Sequence, residues 1–172
     1  TYSGLATSLG GGGTVNVTLG TGSVSTVLNG NYAAFTGAVN VGIGAAAAAG
    51  KVQMNGADAA AATIRVLSNA ALYANLAGTH QASLVLYGGD TGESLGQLRL
   101  EGNAVWAGPV TLAGNITGVG DGTVGGNTGN TGTISGVIGE TGGPATLSKI
   151  GAGTIILAGT NTYTGGTAVQ AG

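Results

Sequence analysis

The sequence predicts a single all-β domain spanning residues 1–172, built as a parallel β-solenoid of roughly seven coils. Short segments alternate apolar and polar residues and are bounded by Gly, Asn or Ser, as in strands with one buried face. Apolar positions recur at intervals of a few tens of residues, which is typical of solenoid repeats. The chain also contains 38 Gly among 172 residues, which suits many tight corners.

The alternating segments, in chain order, are the predicted strands: Val15–Leu19, Val39–Val41, Val52–Met54, Ile64–Val66, Leu84–Leu86, Leu98–Leu100, Val110–Leu112 and Ile155–Leu157. Seven apolar residues serve as spacing markers: Val15, Val39, Ile64, Leu84, Val110, Ile134 and Ile155. Their successive intervals are 24, 25, 20, 26, 24 and 21 residues, close to the length of one solenoid coil. The strands at Val52 and Leu98 then fall within coils. Five residues are predicted on the solvent face: Lys51, Gln53, Arg65, Arg99 and Glu101.

Two segments fit the strand pattern less well. Residues 44–79 contain Ala runs, and a helix from Asp58 towards Leu76 is an alternative, although the alternation in Thr63–Val66 favours strands. Residues 118–143 are rich in Gly, Asn and Thr and are predicted to form a low-complexity coil or loop region.

An internal repeat supports a coiled architecture. Residues 96–112 align without gaps on residues 153–169, each reading Gly, strand, Gly, aromatic, Gly, strand. The aromatic residues are Trp106 and Tyr163. The pattern predicts a corner at each Gly and an aromatic ring stacked on a neighbouring coil.

The C-terminal segment 147–172 is the most distinctive part of the chain. It carries Leu147, Lys149, Asn161, Tyr163 and the Gly165–Thr167 run at the spacing Leu-x-Lys-x-Gly-x-Gly-Thr followed by Gly-x-Asn-Thr-Tyr-x-Gly-Gly-Thr. This segment closely resembles the autotransporter-associated β-strand repeat. The resemblance implies a right-handed parallel β-helix in a secreted or surface-displayed bacterial protein, and the family motif carries no catalytic residues.

Composition excludes several functions. With only four Lys and Arg and a net charge of −2, the chain cannot neutralise a nucleic-acid backbone or attach to an anionic membrane by its charge. The longest apolar run, Ala45–Ala49, is too short to span a bilayer, so no membrane insertion of this segment is expected. The chain has no Cys and one His, which leaves little for catalysis or metal binding.

Candidate reactive residues are therefore interpreted as structural. Gly92-Glu-Ser94-Leu-Gly96 has the spacing of a nucleophile elbow, but a strand follows it and the one His, His80, lies upstream. We predict that His80 is a solvated loop residue, so that replacing Ser94 or His80 by Ala leaves activity unchanged. Arg99 and Glu101 are expected to form an ion pair.

Acidic residues in loops give no stronger signal. Asp121, within Gly118–Gly122, stands alone, whereas a calcium-binding repeat needs an Asp on successive coils. Asp90 and Glu93 share one loop and are interpreted as solvated. The sequence thus predicts no catalytic, cofactor-binding or metal-binding residues and no cofactor.

The predicted function is structural: a stalk, adhesin shaft or fibre-forming segment of an extracellular or bacterial cell-surface protein. The alternative is a glycan-binding or glycan-cleaving β-helix, with a host or matrix glycan as partner. Thr1–Gly4 matches Thr162–Gly165, so the expected partner is another copy of the chain stacked end to end, or a tandem continuation of the same chain.

Overall fold

The computed structural model describes residues 8–19, 24–42, 50–89, 92–113 and 120–172. Within these ranges every regular element is a β-strand, and every strand pairs in parallel with its neighbours. No helix long and apolar enough to cross a membrane occurs in these ranges. The structure therefore confirms the all-β parallel solenoid.

The strands stack into three sheets that run along the solenoid. Sheet 1 contains β2 (Thr14–Val17), β5 (Ala38–Val41), β7 (Thr63–Val66), β10 (Ser83–Leu86), β13 (Val110–Leu112) and β16 (Ile138–Glu140). Sheet 2 contains β3 (Val24–Leu28), β6 (Gly50–Met54), β8 (Ala70–Ala74), β11 (Leu98–Leu100), β14 (Gly120–Gly125), β17 (Ala145–Ile150) and β19 (Thr167–Val169). Sheet 3 contains β9 (Gly78–His80), β12 (Ala104–Trp106), β15 (Thr131–Ile134) and β18 (Thr154–Leu157). The pair β1 (Ser8–Gly11) and β4 (Asn31–Phe35) takes the place of sheet 3 in the first coils.

Chain order divides the strands into coils. Coil 1 is β1–β3, coil 2 is β4–β6, coil 4 is β9–β11, coil 5 is β12–β14 and coil 6 is β15–β17. Coil 3 has only β7 and β8, preceded by an isolated bridge between Tyr32 and Asp58, and coil 7 has only β18 and β19. The solenoid therefore has about five complete turns. The prediction of roughly seven coils was slightly too high because it counted the two incomplete coils.

The core is a stack of inward-facing side chains. On sheet 1, Val39, Ile64, Leu84 and Val110 lie in register and are buried, as predicted. Val15, at one end of this stack, is partly buried against the core.

The last two spacing markers do not lie on the same sheet as the first five. Val110 is followed on sheet 1 by Ile138, whereas Ile134 and Ile155 belong to strands of sheet 3. Ile155 is partly buried and still packs against the core. Period-two alternation predicts that a residue points inward, but it does not indicate from which sheet.

The internal alignment was wrong for the same reason. It placed β11 of sheet 2 on β18 of sheet 3, and Trp106 on Tyr163. In the structure, Trp106 is in register with Ile134, which is in register with Leu157. Because Gly flanks strands of all three sheets, the Gly-strand-Gly pattern can align a strand of one sheet with a strand of another.

Glycine at one corner lets successive coils approach closely. A Cβ added to Gly108 would lie 2.1 Å from the Ala82 carbonyl oxygen, and one on Gly136 would lie 2.0 Å from the Gly108 carbonyl oxygen. These distances are far below normal contact, so the corner between sheets 3 and 1 requires Gly in coils 5 and 6.

The two atypical segments also form coils. The described part of the Ala-rich segment, 50–79, forms β6, β7, β8 and part of β9, so the helix alternative is wrong there, and residues 44–49 lie outside the described residues. The Gly-rich segment 118–143 supplies β14, β15 and β16. The N-terminal Thr1–Gly4 sequence also lies outside the described residues.

Candidate functional site

Several polar side chains of the solenoid form contacts between coils. The largest group lies on the outer face of sheet 2. Glu93 contacts the Lys51 Nζ through Oε1 at 2.5 Å and the Arg99 Nη1 through Oε2 at 3.1 Å. Arg99 also donates from Nε to the Glu101 Oε1 at 2.7 Å. The predicted Arg99–Glu101 ion pair is thus present, within a longer series of alternating charges.

Tyr73 and Asn127 complete this charged cluster. The Arg99 guanidinium lies 4.2 Å from the centre of the Tyr73 ring, and the Tyr73 hydroxyl donates to the Glu101 Oε2 at 2.9 Å. The Asn127 N–H donates to the Glu101 Oε1 at 2.8 Å. Arg99 and Glu101 are both buried, which corrects the prediction that they face solvent.

The surroundings of Glu101 favour its charged form. Burial alone would raise the pKa of the Glu101 carboxyl, but hydrogen bonds from Arg99, the Asn127 N–H and Tyr73 outweigh it and hold the pKa below its usual range. Burial raises the pKa of the Tyr73 hydroxyl, and its hydrogen bond to Glu101 adds to this effect. The cluster is therefore built around an ionised carboxylate.

A second polar contact replaces a strand that coil 3 lacks. In sheet 3, the N–H groups of Ala107 and Gly108 both donate to the carbonyl oxygen of His80 in the preceding coil. One coil earlier, the N–H groups of Gln81 and Ala82 donate instead to the Asp58 Oδ2, at 3.0 and 2.7 Å. The Asp58 carboxylate thus takes the place of a backbone carbonyl.

Asp58 also orients a buried histidine. Its Oδ1 lies 3.1 Å from the His80 Nδ1, and the His80 ring stacks on Trp106 with the ring centres 5.2 Å apart. His80 is only 6% exposed. The prediction of a solvated His80 was wrong, because its position on β9 points the ring into the core. The expectation that His80→Ala leaves activity unchanged stays a prediction.

The incomplete coil 7 is joined to coil 6 in a similar way, by a side-chain oxygen in place of a backbone carbonyl. On sheet 1, the Leu84 N–H donates to the Pro109 carbonyl and the Val110 N–H to the Val137 carbonyl of the next coil. The Ile138 N–H instead donates to the side-chain Oδ1 of Asn161 at 3.0 Å. Asn161 therefore completes the hydrogen bonding where coil 7 has no strand on sheet 1.

Two further side chains fasten coil 7. The Glu140 carboxylate accepts hydrogen bonds from the Thr164 N–H and hydroxyl and from the Ala145 N–H, and these bonds with Thr164 lower the pKa of Glu140. The Lys149 Nζ donates to the carbonyl oxygens of Gly151 and Ala171, at 2.5 and 2.7 Å.

The segment that forms these contacts also has recognisable relatives. Residues 147–172 match the family model described as Passenger-associated-transport-repeat. This match confirms the resemblance predicted for the same residues. Two residues of this segment, Lys149 and Asn161, bind backbone groups at the end of the solenoid through their side chains.

The wider chain has a relative over a short stretch. Fifty-five residues, 31% of the chain, are 54% identical to part of the Adhesin BmaC autotransporter of Brucella suis biovar 1 (strain 1330). The matched stretch covers only 2% of that protein's length. No solved structure matches the chain significantly.

A column of polar residues at the corner after sheet 2 was not predicted from the sequence. The Asn55 Nδ2 donates to the Asn29 Oδ1 at 2.7 Å, and Asn75, Glu101 and Asn127 follow the equivalent strands of the next coils. The signal was present in the triplets Leu28-Asn-Gly, Met54-Asn-Gly and Leu100-Glu-Gly, which recur at the same corner.

The remaining candidate residues do not form a reactive group. Ser94 is exposed in the segment that crosses sheet 2, whereas His80 lies inside sheet 3 against Asp58. Glu93 is not solvated as interpreted from the sequence, because its side chain is only 20% exposed and belongs to the charged cluster. Asp90 lies outside the described residues, and Asp121 is part of β14. Among the residues described, no three His, Asp or Glu side chains could share a metal ion. The absence of catalytic and binding residues remains a prediction.

Proposed function

We propose that this chain is a β-solenoid shaft of a secreted or cell-surface bacterial protein, which spaces or presents other parts of that protein without catalysis. The observation that carries the proposal is the uninterrupted parallel ladder of seven strands in sheet 2, ending in a coil that matches a passenger-associated repeat. A stack of parallel strands has continuous backbone hydrogen bonds along its axis, as a rigid spacer requires.

The polar contacts support this function. Asp58, Asn161, Glu140 and Lys149 use their polar atoms on backbone groups of their own or adjacent coils. Each is engaged in holding coils together, which leaves it poorly placed for chemistry on a substrate. The adhesin relative, itself an autotransporter, supports a surface location.

We further propose that another coil stacks on coil 7, as the continuation of a longer chain. Support comes from the last coil, where Leu157 is 36% exposed although its counterparts in the two preceding coils, Ile134 and Trp106, are fully buried, and where Val169 is 67% exposed. The relative that matches this chain is far longer than the matched stretch. A second copy of the chain is the rival occupant.

Light scattering of the purified chain tests this part of the proposal. We expect weak self-association through the uncovered coil, which Val169→Lys reduces because a charge would be buried. In a chain extended by the natural downstream sequence, we expect that association to disappear. Association that persists in the extended chain would favour copy-to-copy stacking.

Surface display tests the shaft function. The chain is placed between an export signal and an outer-membrane anchor, with an epitope tag at its distal end. We expect the tag to be accessible on intact cells, and an array of host and matrix glycans to bind no better than to the anchor alone. Specific glycan retention or turnover would instead favour the alternative, a glycan-binding or glycan-cleaving β-helix.

A further inference from the structure

The outer face of sheet 2 is covered by a segment of its own chain. Residues 92–97, here called the strap, lie between β10 and β11. Ala71 and Arg99 hold positions that alternate with the inward Leu72 and Leu98, yet they are only 1% and 8% exposed. An outward residue of a solenoid is normally solvated, so this burial identifies a stretch of sheet that is covered on both faces.

The strap crosses several coils. Within it, Glu93 reaches Lys51 on β6 in coil 2 and Arg99 on β11 in coil 4, and therefore bypasses coil 3. Between these two ends lies Ala71 of coil 3, which is in register with Lys51. Its small side chain leaves room for the strap to pass.

The strap also contacts later coils. A Cβ added to Gly125, at the end of β14, would lie 2.8 Å from the Leu95 carbonyl oxygen. A Cβ added to Gly151, just after β17, would lie 3.1 Å from the Leu95 side chain. The strap therefore touches coils 2, 5 and 6 as well as its own coil 4, and it passes beside glycine in coils 5 and 6.

We propose that the strap is an axial clip that couples coils 2–6 into one cooperative unit and stops unfolding from spreading coil by coil. In a simple solenoid each coil contacts only its neighbours, so unfolding can proceed from an end one coil at a time. A link that bypasses coil 3 makes the loss of coil 2 depend on coil 4. This inference deepens the proposed shaft function, on which its biological meaning rests.

The carboxylate of Glu93 is the central element of the clip. Its two oxygens are divided between cations of two different coils. The side chains of Lys51, Glu93 and Arg99 are only 13%, 20% and 9% exposed, so water and salt screen these ion pairs less than they screen surface pairs. Removal of the Glu93 charge therefore leaves Lys51 and Arg99 partly buried without this carboxylate.

Native-state hydrogen exchange of the whole 172-residue chain tests the proposal. In the wild type we expect amides of β6, β8 and β11 to share one slow opening rate. In Glu93→Gln, we expect β6 and β8 to exchange at least about tenfold faster while β11 is less affected, as for a broken, partly buried ion pair. Ala71→Leu, which fills the path of the strap without changing charge, should have the same effect.

Glu140→Gln is the matched control, because Glu140 joins only the adjacent coils 6 and 7. It should speed exchange in coil 7 and leave β6 and β8 unchanged. The proposal is overturned if β6 exchanges independently of β11 in the wild type, or if Glu93→Gln and Ala71→Leu leave β6 and β8 unchanged. These results concern the isolated chain, so they are independent of whether surface display succeeds.

Discussion

Single side chains replace missing backbone in this solenoid. The Asp58 Oδ2 accepts two N–H groups whose equivalents one coil later donate to a backbone carbonyl. The Asn161 Oδ1 accepts the Ile138 N–H, whose equivalents in earlier coils donate to backbone carbonyls. A buried N–H without an acceptor costs about 1–3 kcal/mol, so each of these side-chain oxygens stabilises the solenoid where a coil lacks a strand. Both oxygens lie where the ladder would otherwise be broken.

Asp58→Ala removes an acceptor for two N–H groups and the partner of His80. We expect it to reduce stability by at least about 2 kcal/mol, whereas Asp58→Asn, which keeps one oxygen, should cost less. Chemical denaturation followed by Trp106 fluorescence measures both, since Trp106 stacks on His80. Equal midpoints for Asp58→Ala and the wild type would contradict the assigned role.

Glu101 makes stability depend on pH. Because its folded pKa lies below its unfolded value, its stabilising effect is complete above the ordinary Glu pKa of about 4.3 and is lost as pH falls through the lower folded value. We expect Glu101→Gln to be less stable than the wild type near neutral pH, with the difference shrinking in acid. Denaturation midpoints across the acid range measure this. A constant difference would contradict the assigned pKa direction.

The strands of this chain are short, and the corners determine how closely the coils stack. Strand positions could be predicted because inward side chains such as Ile64, Leu84 and Val110 alternate with polar ones. The corners differ in what they tolerate. Gly108 lies against the Ala82 carbonyl, whereas Gly78 has open space at the Cβ position.

Substitution of these two glycines tests the corner packing. Gly108→Ala should be strongly destabilising, because its Cβ would meet backbone that cannot move without separating two coils. Gly78→Ala, whose Cβ would lie 3.9 Å from the nearest atom, should be close to neutral. Thermal unfolding of the two variants gives the comparison. Similar melting temperatures would mean that the corner is looser than the structure indicates.

The assignment of strands to sheets and the polar contacts were harder to predict from sequence. Alternation places Ile134 inward on any sheet, so only the three-dimensional stack assigns it to sheet 3. The burial of Arg99 and His80 depends on partners in another coil, Tyr73 for Arg99 and Asp58 for His80. No local pattern identifies such partners. The repeat segment was predictable because its fixed residues are close together in the sequence, within residues 147–172.

At the scale of the whole molecule, the sheets continue from coil to coil along the solenoid. Sheet 1 aligns Asn16, Asn40, Arg65, Val85 and Thr111 in a single column on its outer face. Neighbouring strands lie about 4.8 Å apart, so separation within this column should grow linearly with the number of coils. Any other fold would place these five positions at unrelated distances.

Spin-label distances along that column test the solenoid most directly, and the chain's lack of Cys allows labels at chosen pairs. Labels are attached at Asn16→Cys, Asn40→Cys or Arg65→Cys, each paired with Thr111→Cys. Backbone separations of about 19, 14 and 10 Å are expected, for four, three and two strand spacings. Distances that decrease by one constant step would support the solenoid. Distances that do not follow the coil order would contradict it.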